Sequence, residues 1–271
     1  MELYTSTSYQ LSRQLTLRYS TSFSKSSELF SAVIRPHIFA IYGLVRIADE
    51  IVDTYRGKQT ARLLDALEEE TYASLGLSYS TNPIVHAFAQ TANTYGITKQ
   101  LIAPFFESMR MDLKKKSFTK KEYDRYIYGS AEVIGLMCLR VFVGGNDAAY
   151  AKLEDGARAL GSAYQKVNFL RDVASDVSER GRVYFPGVDY DTFSEAQKQA
   201  IIADIRSDFN QAKLSLAQLP KGAQKAVKLS YEYYNELLRM LDRASIETIK
   251  SRRLRVPAAR KLALYAKKAV V

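Results

Sequence analysis

Three observations predict an all-α fold for this chain. Apolar residues recur at helical spacing along most of it, no alternating strand pattern of useful length appears, and prolines (6) and glycines (13) are few among 271 residues. Taken in order, residues 36–56 set Phe39, Tyr42, Val45 and Val52 near one stripe, behind a Pro36 that a helix start tolerates. Helices over 59–76, 83–95 and 98–116 follow. The second is opened by Asn82-Pro83, and the first two are followed by Gly or Ser. The stretch 119–142 begins after Ser117-Phe-Thr119, runs through Tyr126, Val133 and Met137, and stops at Gly144-Gly145. The next helix runs from Asp147 to about Glu179 and is broken by Gly181. Helices at about 193–216 and 220–246 complete the pattern, and Pro257 interrupts a basic tail. With no fixed-period repeat and no linker rich in Ser, Gly or Pro, residues 1–271 are expected to form one domain.

Composition excludes several kinds of function. Cys138 is the only cysteine, so an intramolecular disulfide and a thiolate metal cage are excluded. His37 and His86 lie too far apart in sequence for a convincing zinc site, and His86 reads as a helix-face residue. The first residues lack the basic-then-apolar pattern of a signal peptide, and no apolar run approaches the roughly 20 residues of a spanning helix. A soluble, cytoplasmic protein is expected. The formal charge of +10 points to a phosphate-rich partner or to anionic lipid headgroups, and basic residues crowd the stretch from Lys250 to Lys268. Peripheral membrane contact is therefore expected. A nucleic-acid partner is not, because no binding motif accompanies the charge.

The chemistry concentrates in two aspartate pairs. Asp49/Asp53 and Asp172/Asp176 each have a spacing of four, which sets both carboxylates on one helical face about a turn apart. Tyr42 and Arg46 share the face of the first pair. As solvated surface such an Arg–Asp pair contributes only tenths of a kcal/mol, but Leu44, Val45, Ile47, Ile51 and Val52 argue that this helix is buried, where unpaired acids are costly. Gln165, Asn168, Asp172 and Asp176 line a second face, with Gly161 permitting a close neighbour and Arg171 offering a donor to phosphate. Carboxylate and amide oxygens in this register suit magnesium, or manganese, bridging protein acids to a diphosphate. The loop Gly181-Arg-Val-Tyr-Phe-Pro186 has two readings: a flap over the mouth of a helix bundle, or an ordinary turn that packs its aromatics.

The run from Gly161 to Pro186, Gly-x3-Gln-x2-Asn-Phe-x-Arg-Asp-x3-Asp-x5-Arg-x-Tyr-x-Pro, resembles the signature of the squalene/phytoene synthase family. Arg46 ahead of Asp49-x3-Asp53 resembles that family's first aspartate-rich motif, and Tyr19-Ser20-Thr21-Ser22-Phe23 is similar to its amino-terminal Ser-Phe substrate contact. Tyr126-Ile-Tyr-Gly-Ser-Ala-Glu-Val-Ile-Gly135-Leu-Met resembles a further segment, with departures at Ile127 and Glu132. Arg252-Arg-Leu-Arg-Val-Pro257-x2-Arg-Lys-Leu resembles the family's basic carboxyl-terminal stretch. The resemblance spans most of the chain. It implies an isoprenoid synthase-type helical bundle around a central cavity, joining two allylic diphosphates head to head through a cyclopropylcarbinyl diphosphate. It further implies that Asp49 and Asp53 hold one magnesium cluster and Asn168, Asp172 and Asp176 another. Tyr42, Arg46, Gln165 and Arg171 would contact diphosphate, and Tyr19 with Ser20, Thr21, Ser22 and Phe23 the substrate near the ionising carbon.

Elementary chemistry agrees with that implication. A departing diphosphate needs its growing charge neutralised, and the carbocation left behind needs apolar, aromatic walls that cannot trap it. Phe23, Phe39, Tyr126, Val133, Gly135, Leu136 and Leu160 are the candidate lining. Phytoene from two geranylgeranyl diphosphates is the expected product, with no NADPH; squalene or dehydrosqualene from farnesyl diphosphate is the alternative. A head-to-tail elongase or terpene cyclase also uses acidic helical pairs, but the Gln-x2-Asn-x2-Arg-Asp-x3-Asp order argues against it. A non-catalytic scaffold need not keep its acids, and all four are present.

Overall fold

The structure, a computed structural model, describes residues 1–55 and 57–269; the side chains of residues 21, 22, 268 and 269 also lie outside that description. Thr21 and Ser22, two of the expected substrate contacts, therefore fall outside the described side chains. The described residues are helical with no strand, apart from one isolated parallel bridge between Ser117 and Val183. No described helix is long and apolar enough to cross a membrane.

Helix α1 (Glu2–Tyr19) is the element that apolar periodicity does not announce. Its buried stripe is Ser8, Ser12 and Thr16, and each hydroxyl donates to the carbonyl four residues back, at 2.8, 3.1 and 2.9 Å. A stripe of small, internally satisfied side chains lets α1 lie close on α3 (Arg35–Asp49) and α5 (Pro83–Tyr95). A methyl group at Gly43 would meet Ile84 Cγ2 at 3.0 Å and Ser12 Oγ at 3.3 Å. The short α2 (Thr21–Ser27) starts where Ser20 Oγ accepts from the Phe23 backbone N–H at 3.2 Å.

The segment expected as one helix over 36–56 is α-helical only to Asp49 and continues as a π-helical turn, Glu50–Tyr55. Asp53 sits in that turn. After α4 (Thr60–Leu77), α5 is capped by Asn82 and ends at Gly96 in the left-handed region. Helices α6 (Lys99–Lys114), α7 (Lys120–Ile127) and α8 (Val133–Phe142) follow; a second π turn, Tyr128–Glu132, joins the last two. The backbones crowd there, since a Cβ on Gly129 would overlap the Pro104 carbonyl. The 34-residue α9 (Asp147–Arg180) is capped by Asn146 and stopped by Gly181 at φ +62°. Next come α10 (Glu195–Leu216) and α11 (Lys221–Arg243). The predicted helix 220–246 gives way at Ala244, where Ser245 caps a separate α12 (Ile246–Ser251). Beyond Pro257, α13 (Ala258–Ala269) packs on α11 and α2.

Two apolar clusters hold these helices. One gathers Leu44, Leu64, Phe88, Phe105, Phe106 and Met137; the other gathers Phe118, Tyr126, Phe169, Tyr184, Phe209 and Leu241. Leu160 and Tyr231 touch both. The central α9 is thereby fixed along its length against α8, α10, α11 and α12. Phe39, Tyr126, Val133 and Leu136, four of the candidates for the lining, are fully committed to packing (each at most 3% exposed) and are plain core.

Candidate active site

The two aspartate motifs meet across a single guanidinium. Arg180 Nη2 stands 3.3 Å from Asp53 Oδ2 at the end of the α3 segment, and its Nη1 donates to Asp176 Oδ1 on α9 at 2.6 Å. Asp49 lies 3.4 Å from Arg46 Nη1. Asp172 is gripped from two sides. Arg171 donates to it through Nε and Nη2 at 2.8 and 2.5 Å, and Arg253, ahead of α13, does so at 2.8 and 3.1 Å. Bidentate pairing of this kind is the strong form of the carboxylate–guanidinium bond. The basic carboxyl-terminal stretch thus closes over the second motif.

A fifth acid, Asp112 on α6, belongs to the same cluster, and no spacing in the sequence signals it. Tyr126 donates to its Oδ2 at 2.6 Å and Tyr184 to its Oδ1 at 3.1 Å, while Arg182 Nη1 lies 3.3 Å away and its Nη2 donates to the Asp112 carbonyl at 2.5 Å. Arg182 also reaches Asp53 Oδ1 at 3.4 Å. The loop after Gly181 follows the second of its two readings, a turn that packs its aromatics. Its aromatics pack, with Tyr184 stacked on Phe169 at 3.9 Å, while its arginine enters the acidic cluster.

The carboxylates raise one another's proton affinity. Burial pushes Asp49 up to about 7, with the Asp53 and Asp112 charges adding and Arg46 and Arg180 opposing. Burial likewise lifts Asp112 and Asp176 to about 6, against Arg182 and Arg180 respectively. Such an array favours any added positive charge. All its donors are hard oxygens, and Asn168 Oδ1 on the same α9 face is buried with no hydrogen-bond partner among the described residues. A divalent cation fits this donor set. No three acids among the described residues close around an ion in this conformation; guanidinium groups stand between them. When bound, the ion would link carboxylates to a diphosphate and neutralise the charge of the leaving group.

The expected substrate contacts surround the mouth. Arg46 lies over the Tyr19 ring at 4.4 Å, pairs with Glu50, and leaves its Nε buried and without a partner among the described residues. Tyr42 stacks on Phe23 at 5.2 Å, and burial pushes its phenol up to about 12. Tyr19, Ser20, Phe23 and Arg171 line an antechamber of about 380 Å³ whose far wall carries Arg253, Arg255 and Lys261. Adjoining it lies an apolar tunnel of about 250 Å³, walled by Ile38, Ile134, Cys138, Phe142, Leu153 and Leu160 among others, with Gln165 also in its lining. Phe23, Tyr164 and Ser230 border both spaces. Of the lining residues expected from sequence, Phe23, Gly135 and Leu160 are found there.

An oxygen-rich, arginine-framed cluster beside a basic antechamber and a hydrocarbon-walled tunnel is what a transferase of prenyl diphosphates requires, and fold and site together define that class. Sequence comparison supplies the family: the squalene/phytoene synthase model matches residues 16–260, and the chain belongs to the squalene/phytoene synthase family, whose members are divalent-metal-dependent prenyltransferases that condense their substrates head to head. A 15-cis-phytoene synthase of Synechocystis sp. is 30% identical over 94% of this chain and 82% of its own length. A phytoene synthase of Arthrospira platensis is 32% identical over 67% of the chain, a match spanning 62% of that relative. A 4,4'-diapophytoene synthase of Staphylococcus haemolyticus is 28% identical over 86% of the chain and 81% of its own length. The crystal structure of a dehydrosqualene synthase shares the fold, with a TM-score of 0.83 at 18% identity, over 98% of this chain and 96% of that one.

Proposed function

We propose that the chain, as one domain over residues 1–271, condenses two geranylgeranyl diphosphates head to head to phytoene, with magnesium or manganese and without reductant. One observation carries this reading: Arg171 and Arg253, which grip Asp172 of the acidic cluster, also line the basic antechamber, and that antechamber shares Phe23, Tyr164 and Ser230 with the apolar tunnel. Asp49, Asp53, Asn168, Asp172 and Asp176 would hold the metal. Tyr42, Arg46, Gln165 and Arg171 would bind diphosphate oxygen, and Tyr19, Ser20, Thr21, Ser22 and Phe23 would border the reacting carbon. The choice of geranylgeranyl diphosphate is supported by the 30% identity to the Synechocystis 15-cis-phytoene synthase over nearly the whole chain. A second reading, condensation of farnesyl diphosphate, is favoured by the similarity to the Staphylococcus haemolyticus 4,4'-diapophytoene synthase.

The greasy substrates and product, the +10 charge and the basic run from Lys250 onward support peripheral attachment to an anionic membrane surface. Product analysis by mass spectrometry tests the main reading: the purified protein is incubated with each diphosphate, with and without NADPH, and with magnesium, manganese or chelator. Phytoene from geranylgeranyl diphosphate in the presence of metal alone is the expected result. Consumption of farnesyl diphosphate only, or squalene formed only with NADPH, overturns it.

A further inference from the structure

Helix α9 orders the whole site along one axis. Leu153, Ala157 and Leu160 wall the tunnel, Tyr164 and Gln165 come next, and Asn168, Asp172 and Asp176 reach the acidic mouth. At 1.5 Å per residue, Tyr164 stands about 6 Å below Asn168 and about 12 Å below Asp172 along that axis. A prenyl diphosphate with its phosphates at the mouth and its tail in the tunnel must therefore place the carbon–oxygen bond that breaks near Tyr164.

The surroundings of Tyr164 match that position. Its ring stacks on Tyr234 of α11 with centroids 3.9 Å apart and planes 16° apart. Across the throat, Phe23 and Tyr42 form a second stacked pair. Tyr164 borders both the antechamber and the tunnel. Its hydroxyl is buried and meets no hydrogen-bond partner among the described residues; Ser230 lies beside it without the geometry of a bond. Burial holds the phenol far above its ordinary value, so the ring stays neutral and offers no anion that could capture a cation covalently.

We infer that Tyr164, backed by Tyr234, is a catalytic residue that holds the allylic cation at the throat through its ring electrons and keeps water from it. This rests on the prenyl-diphosphate reading above. In the step concerned, the bond from the terminal carbon to oxygen breaks and both electrons leave with the diphosphate. The cation that remains either takes the π electrons of the second prenyl chain's double bond, the proton released on ring closure passing to the diphosphate, or takes the oxygen of a water molecule. In the second case it becomes an allylic alcohol and the extra proton passes to the diphosphate. A face-on aromatic ring stabilises the cation for the first outcome.

The test measures the ratio of allylic alcohol to joined hydrocarbon, per substrate consumed, with geranylgeranyl and with farnesyl diphosphate. Tyr164→Phe should keep the wild-type ratio within about twofold, and Tyr164→Leu should raise the alcohol share on the order of tenfold. Because the leucine variant also changes the packing against Tyr234, position 164 is filled in addition with phenylalanine and its mono-, di- and trifluorinated analogues. Fluorination withdraws ring electrons with little change of shape, so the alcohol share should climb with each fluorine. A ratio unmoved along that series overturns the assignment while wild-type turnover leaves the prenyltransferase reading intact. A wild type that consumes neither diphosphate removes the functional reading, and this assignment with it.

Discussion

The buried carboxylate of Asp112 offers the sharpest test of how the site is built. Replacing it by alanine removes the acceptor for Tyr126 at 2.6 Å and for Tyr184 at 3.1 Å, and it removes one counterion of Arg182 at 3.3 Å. Asp112 and Arg182 are only 6% and 10% exposed at their side chains, so water cannot stand in. Each buried phenol left without its partner costs about 1–3 kcal/mol. Breaking a buried ion pair by removing one partner costs about 3–5 kcal/mol. Arg182 keeps Asp53 and the Asp112 carbonyl, which places the pair at the low end of that range. The three groups form one network, so the sum is not additive, and about 4–6 kcal/mol is expected for Asp112→Ala. Asp112→Asn, which keeps an acceptor and loses the charge, should cost about 2 kcal/mol. At about 2–4 °C per kcal/mol for a chain of this size, the alanine variant should melt on the order of 10 °C or more below wild type. Thermal and urea unfolding followed by circular dichroism would measure both. An alanine variant within about 1 kcal/mol of wild type refutes the idea that this acid organises the mouth.

Four further outcomes follow from the geometry. Asp172→Asn should lower turnover by orders of magnitude while the chain still folds, because an amide is a poorer ligand for a hard cation; near-normal kcat in that variant removes Asp172 from the mechanism. Cys138→Phe, which adds bulk inside the tunnel, should lower kcat/KM for geranylgeranyl diphosphate more than for farnesyl diphosphate, whereas Gly135→Ala should lower stability by about 1–3 kcal/mol without that selectivity, since its Cβ would lie 2.7 Å from the Ala157 carbonyl. Burial holds His37 down at about 4, below its value near 6.5 in the unfolded chain. The unfolded state then takes the proton first, and stability is lost as pH falls from about 6.5 toward 4; melting curves at pH 6.5 and 5 should show a smaller acid-side loss in His37→Gln than in wild type. Co-sedimentation with anionic vesicles should weaken as salt rises from 0.1 to 1 M, over which screening shortens from roughly 10 to 3 Å, while equal binding to neutral vesicles at all salt levels rejects the electrostatic attachment.

What could be read from sequence was whatever lies on one helix. The spacing of Gln165, Asn168, Asp172 and Asp176 places them on a common face because they share the uninterrupted α9, and the helix over 83–95 is found with both its ends as predicted. Features made by several segments were not readable. Asp112 is a single acid on α6 whose meaning comes from Tyr126, Tyr184 and Arg182 on two other parts of the chain. Helix α1 escaped notice because its buried face is built of hydroxyls, which hydropathy scores as surface. Tunnel wall and solid core use the same residue types, so Leu160 and Leu136 look alike in the sequence and differ only in what stands opposite them. Gly135 was expected among the cavity lining, and Gly161 was expected to admit a close neighbour. They border the tunnel, but their missing side chains serve chiefly to bring α8 and the π turn before it against α9.

The placement of tunnel, throat and mouth on one 34-residue rod makes α9 a ruler for its substrate. From Leu153 to Tyr164 it spans about 16 Å, and side chains return to the same wall only once per turn, about every 5.4 Å. The depth available to a hydrocarbon tail can therefore change only in discrete marks, as a bulky residue at one turn is exchanged for a small one and the stop moves to the next. Chain-length preference in such a protein should drift by steps along this helix, while the acids at its far end keep their place.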